Sequence, residues 1–137
     1  MMAYVRRLLL SVLGVSLALF AVPALAAGGS NRVAVCTKSQ AKPSTIVLFC
    51  GDDNAYVNKI HWSAFGGATA KGSGTYTFNP CKPTCVAGKF QSYGVSFTAS
   101  QAKPCWDGHD DYRALALDFA AGAPYKTKTF TLYCPAG

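Results

Sequence analysis

The sequence contains no glutamate, and this absence is the first constraint on its chemistry. All six acidic side chains are aspartates. Most glycosidases use a pair of carboxylates, so here the pair would have to be two aspartates or an aspartate with another group. Only two histidines, His61 and His109, are available as a general base or a metal ligand. The chain is therefore poor in the side chains that enzymes use most often.

Motifs for nucleophilic catalysis are also missing. The segment Gly94-Val95-Ser96-Phe97-Thr98 lacks the final glycine of a nucleophile elbow. A cysteine nucleophile would need a free thiol, which the even number of cysteines disfavours. A Ser/His/Asp triad could be assembled from His61 or His109, but nothing in the sequence selects one. We predict no catalytic residue and no cofactor, and we favour a non-enzymatic protein over an enzyme.

The sequence has no run of basic residues, although Lys and Arg outnumber the acids by 13 to 6. Because no basic cluster interleaves with aromatic residues, nucleic acid is not expected as a partner. A diffuse positive charge favours solubility and weak attraction to anionic surfaces such as teichoic acids, lipopolysaccharide and acidic glycans. An ordinary solvated surface with a basic isoelectric point would look the same, and this plainer interpretation is favoured.

The first 26 residues have the pattern of a signal peptide. Arg6 and Arg7 precede an uncharged apolar stretch at residues 8–22, and Pro23-Ala24-Leu25-Ala26 matches a signal peptidase site. The stretch is shorter than the ~20 apolar residues of a membrane-spanning helix. We therefore predict cleavage after Ala26 and one exported domain, residues 27–137, without a transmembrane anchor. That domain would be secreted, periplasmic or attached to the cell envelope, with a formal net charge of +5.

Six cysteines lie in the predicted mature part, and an even number in a short exported chain indicates three disulfides. Sequence alone leaves fifteen connectivities open. Zinc is the alternative, because two of the cysteines are four residues apart, but both histidines lie far from that pair. We therefore predict disulfides and no metal. The six residues are Cys36, Cys50, Cys81, Cys85, Cys105 and Cys134.

The mature part has no sustained helical periodicity but many short β-branched and aromatic runs bounded by turn residues. These runs predict an all-β fold, a small antiparallel β-sandwich of immunoglobulin-like size stapled by disulfides, with a small barrel as the alternative. Residues 45–49 are continuously apolar and predict a strand buried on both sides. Residues 112–119 could also form a short helix. The seven predicted strands lie near residues 32–36, 44–50, 56–62, 73–79, 89–98, 112–119 and 127–134.

The first candidate binding segment spans residues 60–74. Trp62 and Phe65 could form a platform for a sugar ring or another apolar group, with Lys71 reaching an anion. The same pattern occurs where a strand leaves the core and turns, because Gly66-Gly67 and Gly72-x-Gly74 permit positive φ angles. We favour the turn and keep Trp62, Phe65 and Lys71 as candidate ligand-binding residues.

The second candidate segment, residues 105–112, concentrates Trp106, His109 and three aspartates in one loop. Its carboxylates could bind a hard cation such as Ca²⁺. The spacing, however, does not match a calcium loop, and Asp and Gly clusters are ordinary turn chemistry. A solvated loop is the favoured interpretation, with Trp106 and His109 as candidate ligand-binding residues.

Several motifs resemble a group of small secreted proteins of actinobacteria and other bacteria that has no established function. The matching segments are Ile46-Val47-Leu48-Phe49-Cys50-Gly51-Asp52, Ile60-His61-Trp62, Gly67-Ala68-Thr69-Ala70-Lys71-Gly72-Ser73-Gly74-Thr75, Cys81-Lys82-Pro83-Thr84-Cys85-Val86-Ala87-Gly88-Lys89-Phe90 and Tyr112-Arg113-Ala114-Leu115. Those proteins often carry a second Trp in place of Phe65 and a Pro near Gly94. Relative to that group, Cys36 and Cys134 are additional. The pairing that we expect is Cys36–Cys134, Cys50–Cys105 and Cys81–Cys85. The resemblance supports the first bond and the pairing of the other four cysteines among themselves.

Together these observations favour a secreted bacterial domain that binds rather than catalyses. The expected partner is a cell-wall or other anionic glycan, or another extracellular protein. A secreted effector or inhibitor is the alternative, because small disulfide-rich exported domains often serve such roles. A small cell-wall hydrolase that uses His109 and the neighbouring aspartates is less favoured.

Overall fold

A computed structural model describes residues 30–136, so the predicted signal peptide lies outside the described residues. No helix occurs between residues 30 and 136. The described residues accordingly include no helix that could cross a membrane. The strands are β1 (Val33–Val35), β2 (Lys38–Gln40), β3 (Ile46–Val47), β4 (Ala55–Ala64), β5 (Ala70–Phe78), β6 (Gln91–Ser100), β7 (Lys103–Pro104), β8 (Asp110–Asp111), β9 (Ala114–Phe119) and β10 (Thr127–Thr131).

The main sheet has six strands in the order β10-β9-β6-β5-β4-β3 and curls into a half-barrel. Every neighbouring pair in it is antiparallel. The strands β1 and β2 form one small sheet, and β7 and β8 form another. The prediction of an all-β, antiparallel, disulfide-stapled domain is confirmed. The strand predicted at residues 32–36 contains β1, whereas β2, β7 and β8 were not predicted, because strands of two or three mostly polar residues carry no periodic signal.

Alternation along β9 and β10 decides which side chains enter the core. Leu115 and Leu117 are fully buried, whereas Asp118 between Leu117 and Phe119 is exposed. In β10, Thr127 and Thr129 are exposed and Phe130 is buried. Buried and exposed side chains therefore alternate with a period of two along both strands. The helical alternative for residues 112–119 is wrong, because this segment pairs with β6 on one side and β10 on the other.

The apolar run at residues 45–49 is not a strand buried on both sides. Only Ile46 and Val47 pair with β4, at the edge of the sheet, and Phe49 is 53 % exposed. The amide of Leu48 still donates to the carbonyl of Ala55 at 2.9 Å, and the chain then continues into the loop that contains Cys50. This apolar run therefore consists of a short edge strand followed by an exposed aromatic residue. Periodicity alone cannot distinguish such a segment from a strand that is buried on both sides.

The segment around β1 joins distant parts of the chain. Val33 is fully buried in the same core as Tyr112. The amide of Arg32 donates to the carbonyl of Asp110 at 2.8 Å, and the amide of Ala136 donates to the carbonyl of Cys36 at 2.8 Å. These contacts bring the β1–β2 turn, the β7–β8 sheet and the C-terminal segment to one end of the molecule.

The disulfides are Cys36–Cys50, Cys81–Cys85 and Cys105–Cys134. All six cysteines are paired, and the Cys81–Cys85 prediction is confirmed. The expected Cys36–Cys134 and Cys50–Cys105 bonds are wrong. The carbonyl of Cys36 does contact the C-terminal segment, but its side chain bonds to the loop after β3. Cys134, which follows β10, bonds to the cysteine of the β7–β8 turn. The cysteines of adjacent loops are thus joined, 14 and 29 residues apart, rather than the two ends of the domain.

Candidate functional site

Trp62 lies among core side chains rather than on an open surface. Its ring packs edge-to-face against Phe65 at 4.7 Å and against Phe97 at 5.1 Å between centroids. Its indole nitrogen donates a hydrogen bond to the carbonyl of Pro43 at 2.9 Å. Phe65 also packs against Tyr112 at 6.1 Å. The structure brings Trp62 and Phe65 together as predicted, in a packed and hydrogen-bonded arrangement.

A glycine in the neighbouring strand explains this position of Trp62. Gly72 pairs with Trp62 across β4 and β5. A Cβ atom on Gly72 would lie 2.7 Å from Cζ of Phe97 and 2.7 Å from the carbonyl oxygen of His61. The expectation that Gly72 and Gly74 permit a turn is wrong, since both lie inside β5 and serve close packing. Gly66, with a φ of 89°, is the turn glycine of this segment.

Lys71 does not join Trp62 and Phe65. It precedes Gly72 in β5 and therefore points to the other face of the sheet. There it is exposed, opposite Ala64 on β4 and Thr98 on β6. The predicted combination of an aromatic platform with a nearby lysine is therefore split between two faces.

Trp106, by contrast, is exposed to solvent and is also held by a hydrogen bond. Its side chain is 67 % exposed, while its indole nitrogen donates to the carbonyl of Pro135 at 2.8 Å. It lies in the β7–β8 turn, in which the amide of Cys105 donates to the carbonyl of His109 at 2.8 Å. Gly108 supplies the positive φ of 80° in this turn. His109 is half-buried in the same turn, so the second predicted segment does bring its two candidate residues together.

Two aspartates of this segment share one hydroxyl group. The Ser39 Oγ atom lies 2.6 Å from Oδ2 of Asp107 and 2.6 Å from Oδ2 of Asp111. Ser39 is the donor in both contacts, so its one hydroxyl proton is shared between the two carboxyl groups. Burial raises the pKa of Asp111, whereas the Ser39 hydrogen bond lowers the pKa of Asp107. Asp111 therefore keeps its proton to a higher pH than Asp107 does.

The same aspartates do not form a convincing metal site. Ligand atoms of Cys105, Asp107 and Asp111 lie within 4.8 Å of one another. The Cys105 sulfur is bonded to Cys134, so no thiolate is available to a metal. The two carboxylates would give Ca²⁺ far fewer than its usual ~6–8 oxygen ligands. The cluster instead holds β2 against the β7–β8 turn.

Three exposed aromatic residues lie at the end of the molecule where two disulfides meet the C-terminal segment. We call Phe49, Trp106 and Tyr133 the disulfide-end surface; they are 53 %, 67 % and 74 % exposed. Phe49 and Tyr133 line a common cleft of about 540 Å³ with Cys36, Cys50 and Cys134. Phe49 and Tyr133 are not among the residues predicted from the sequence. A signal was present, because each of the three aromatic residues directly neighbours a disulfide cysteine.

The outer face of the main sheet carries a polar row, which is the best place for a hydrolytic triad. His61, Ser73, Ser96 and Asp118 are register partners across β4, β5, β6 and β9, beside an open depression of about 650 Å³. Neighbouring strands are ~4.8 Å apart, so three strand spacings separate His61 from Asp118. A triad needs the carboxylate in contact with the imidazole. The row therefore contains serine and histidine without the group that would orient the base.

Comparison with known proteins found no matching family model, no similar curated protein and no similar solved structure. The resemblance to small secreted bacterial proteins thus stays a prediction.

Proposed function

We propose that this chain is a non-enzymatic, exported binding module that attaches to cell-wall or other anionic glycan through the disulfide-end surface. The observation that carries the proposal is the state of Trp106. Its ring is two-thirds exposed, yet its only polar atom is already hydrogen-bonded to Pro135. An indole held in this way offers a flat apolar face to a ligand without first having to be ordered.

Energetics support such a surface as a sugar platform. When a sugar ring stacks on a large exposed aromatic ring, apolar surface of both rings is removed from water, and this removal favours binding. Ordering a flexible side chain on binding costs roughly 0.5–1.5 kcal/mol, and the Pro135 hydrogen bond removes much of this cost for Trp106. Phe49 and Tyr133 extend the apolar area beside the same disulfides.

The disulfides support the proposal in a second way. Cys36–Cys50 and Cys105–Cys134 fix the loops that carry the three aromatic residues. Three disulfides are compatible with an extracellular location, where thiols oxidise. The formal net charge of +5 for residues 27–137, from 11 Lys and Arg against 6 Asp, adds weak, salt-sensitive attraction to an anionic glycan.

The test is cosedimentation of the oxidised protein, residues 27–137, with isolated bacterial cell walls over a salt series. We expect retention that persists at high salt and release of no sugar or peptide fragment. Trp106→Ala should weaken retention about tenfold or more, as removal of a central aromatic residue does at other interfaces. Phe90→Ala is the matched control, because Phe90 is also an exposed aromatic residue, at 54 %, outside the disulfide-end surface.

Other results would overturn the proposal. Equal retention of the Trp106→Ala and Phe90→Ala variants would exclude the disulfide-end surface. Release of wall fragments would indicate the hydrolase that the sequence makes less favoured. A protein that neither sediments nor cleaves would leave the effector or inhibitor as the better hypothesis.

A further inference from the structure

Lys128 occupies an unusual position for a lysine. It lies in the middle of β10 between Thr127 and Thr129, which are exposed, so it shares the inner face of the curled sheet with Phe130. Its ammonium nitrogen lies over four aromatic rings. The distances to the ring centroids are 5.1 Å for Tyr125, 5.2 Å for Phe130, 5.7 Å for Tyr76 and 5.8 Å for Phe78.

The ammonium group of Lys128 has no anionic partner within hydrogen-bond distance among residues 30–136. Its polar contact is the hydroxyl of Tyr76, 3.5 Å away. Burial, followed by the effect of Tyr125, raises the pKa of Tyr76 to about 12, so this hydroxyl stays neutral at physiological pH. Tyr76 therefore cannot act as the counter-anion. The rings stabilise the charge through cation–π contacts but do not neutralise it.

Lys128 is one of the residues that line an open cavity. The cavity has a volume of about 390 Å³, and Phe49, Tyr76 and Phe78 form its apolar walls next to Lys128. Ligand pockets commonly measure ~300–1,000 Å³ and combine apolar walls with a few polar groups. Asn54 and Asn79 supply amide groups in the lining.

One acidic side chain, Asp52, also lines this cavity. Its carboxylate accepts hydrogen bonds from the side-chain amide of Asn54 at 2.6 Å and from the backbone amide of Asn54 at 3.1 Å. These bonds pair both oxygens of the Asp52 carboxylate with Asn54, and no hydrogen bond joins Asp52 to Lys128 among the described residues.

We infer that Lys128 is an anion-recognition residue and that the cavity beside it receives the carboxylate of a sugar acid. The ammonium would form a charge-assisted hydrogen bond with the carboxylate, while the aromatic walls contact the sugar ring. Such a unit occurs in acidic glycans, so the inference deepens the proposed function and rests on it for the glycan nature of the ligand. Phe49 lines both this cavity and the disulfide-end cleft, so the two sites share a wall.

A purely structural lysine would predict different behaviour. In that case the four rings only pack against the side chain of Lys128 and stabilise its charge. The protein would then bind an anionic sugar no better than a neutral one. The two explanations are separated by comparing ligands that differ in one carboxylate and variants that differ in one charge.

The experiment is an NMR titration of the oxidised protein, residues 27–137, with methyl glucuronide as the acidic probe and methyl glucoside as the neutral one. We expect saturable shifts of the Phe49 and Phe78 ring signals, which come from the cavity walls, with the glucuronide only. Lys128→Met, which keeps the apolar stem, should weaken this binding about tenfold or more, whereas Lys128→Arg should retain most of it. Amide spectra of both variants establish that they fold.

Equal shifts with both sugars, no shift with either, or full glucuronide binding by a folded Lys128→Met variant would each overturn the inference. If Lys128→Met does not fold, glucuronide binding by wild type must fall with rising salt, because an ion pair is screened and a neutral contact is not. Failure of the proposed function can be distinguished from failure of the carboxylate site at Lys128. Loss of wall retention in wild type, with glucuronide binding at Lys128 intact, would reject the wall as the partner and leave the carboxylate site standing.

Discussion

The indole nitrogen of Trp106 lies 2.8 Å from the carbonyl oxygen of Pro135, although two-thirds of the Trp106 side chain faces solvent. Trp62, the other tryptophan, makes the same kind of bond to the carbonyl of Pro43 but is packed between Phe65 and Phe97. The two tryptophans thus have opposite roles. One stabilises the core, and the other is held rigidly at the surface.

This contrast predicts that the two tryptophans differ in their contribution to stability. Trp62→Ala should lower the free energy of unfolding by about 3 kcal/mol, because it removes core contacts and a buried hydrogen bond. Trp106→Ala should lower it by less than about 1 kcal/mol, since most of the ring is exposed. Urea denaturation followed by far-UV circular dichroism measures both. Similar losses for the two variants would contradict the assignment of roles.

The packing of Trp62 makes a prediction about two glycines. Gly72→Ala should destabilise the protein by about 1–3 kcal/mol, because the new Cβ would approach Phe97 and the His61 carbonyl too closely. Gly94→Ala is the control, since a Cβ there meets nothing nearer than the Cβ of Ala120 at 3.9 Å. Thermal melts of the two variants provide the comparison. A tolerated Gly72→Ala would show that the β5–β6 packing is looser than described.

The buried Asp111 predicts a pH dependence of stability with a definite sign. Because burial raises the pKa of Asp111 in the folded state, ionisation of this group favours unfolding. The free energy of unfolding therefore starts to fall as the pH rises above about 4, the ordinary aspartate pKa. It continues to fall until the pH exceeds the raised pKa of Asp111 in the folded state. Asp107, with a lowered pKa, contributes in the opposite direction, since its stabilisation is lost as the pH falls.

Asp111→Asn isolates the first of these effects, because asparagine is neutral and of similar shape. The stability of this variant minus that of wild type should be larger at pH 7 than at pH 4. Urea midpoints at the two pH values give the comparison. A constant difference between the variant and wild type would mean that Asp111 does not change protonation in this range.

The disulfides predict unequal effects of their removal. Replacing Cys105 and Cys134 by serine should cost about 3 kcal/mol, because this bond closes a loop of 29 residues. The same replacement of Cys81 and Cys85, which are 4 residues apart, should cost much less. Peptide mapping under non-reducing conditions checks the connectivity itself. Recovery of a Cys36–Cys134 peptide would restore the pairing expected from the sequence.

The sequence was sufficient for the class of fold and for the longer strands. The alternation of threonines with Lys128 and Phe130 in β10 and the spacing of Leu115 and Leu117 in β9 decide the inner and outer faces directly. Residues 45–49 were misjudged because an edge strand and an exposed aromatic residue have the same apolar composition as a buried strand. The disulfide pairing depends on which loops meet at one end of the molecule, and local sequence does not encode that.

The candidate site was only partly accessible from the sequence. Trp106 and His109 were found because the polar turn around them is conspicuous. Phe49 and Tyr133 were not found, since each directly follows an apolar residue of a predicted strand and their exposure is not visible in the composition. Lys128 looked like an ordinary surface lysine, because the rings around it come from separate strands and a loop.

The most direct test uses the fluorescence of Trp106. The chain has two tryptophans, so Trp62→Phe leaves Trp106 as the single indole and keeps an aromatic ring in the core. This variant would be titrated at high salt with soluble cell-wall glycan fragments while quenching by acrylamide is measured. Glycan binding through the disulfide-end surface predicts a saturable change in emission and protection of Trp106 from the quencher. Unchanged emission and unchanged quenching, in a protein that cosediments with the walls, would contradict the assignment of Trp106 as the glycan platform.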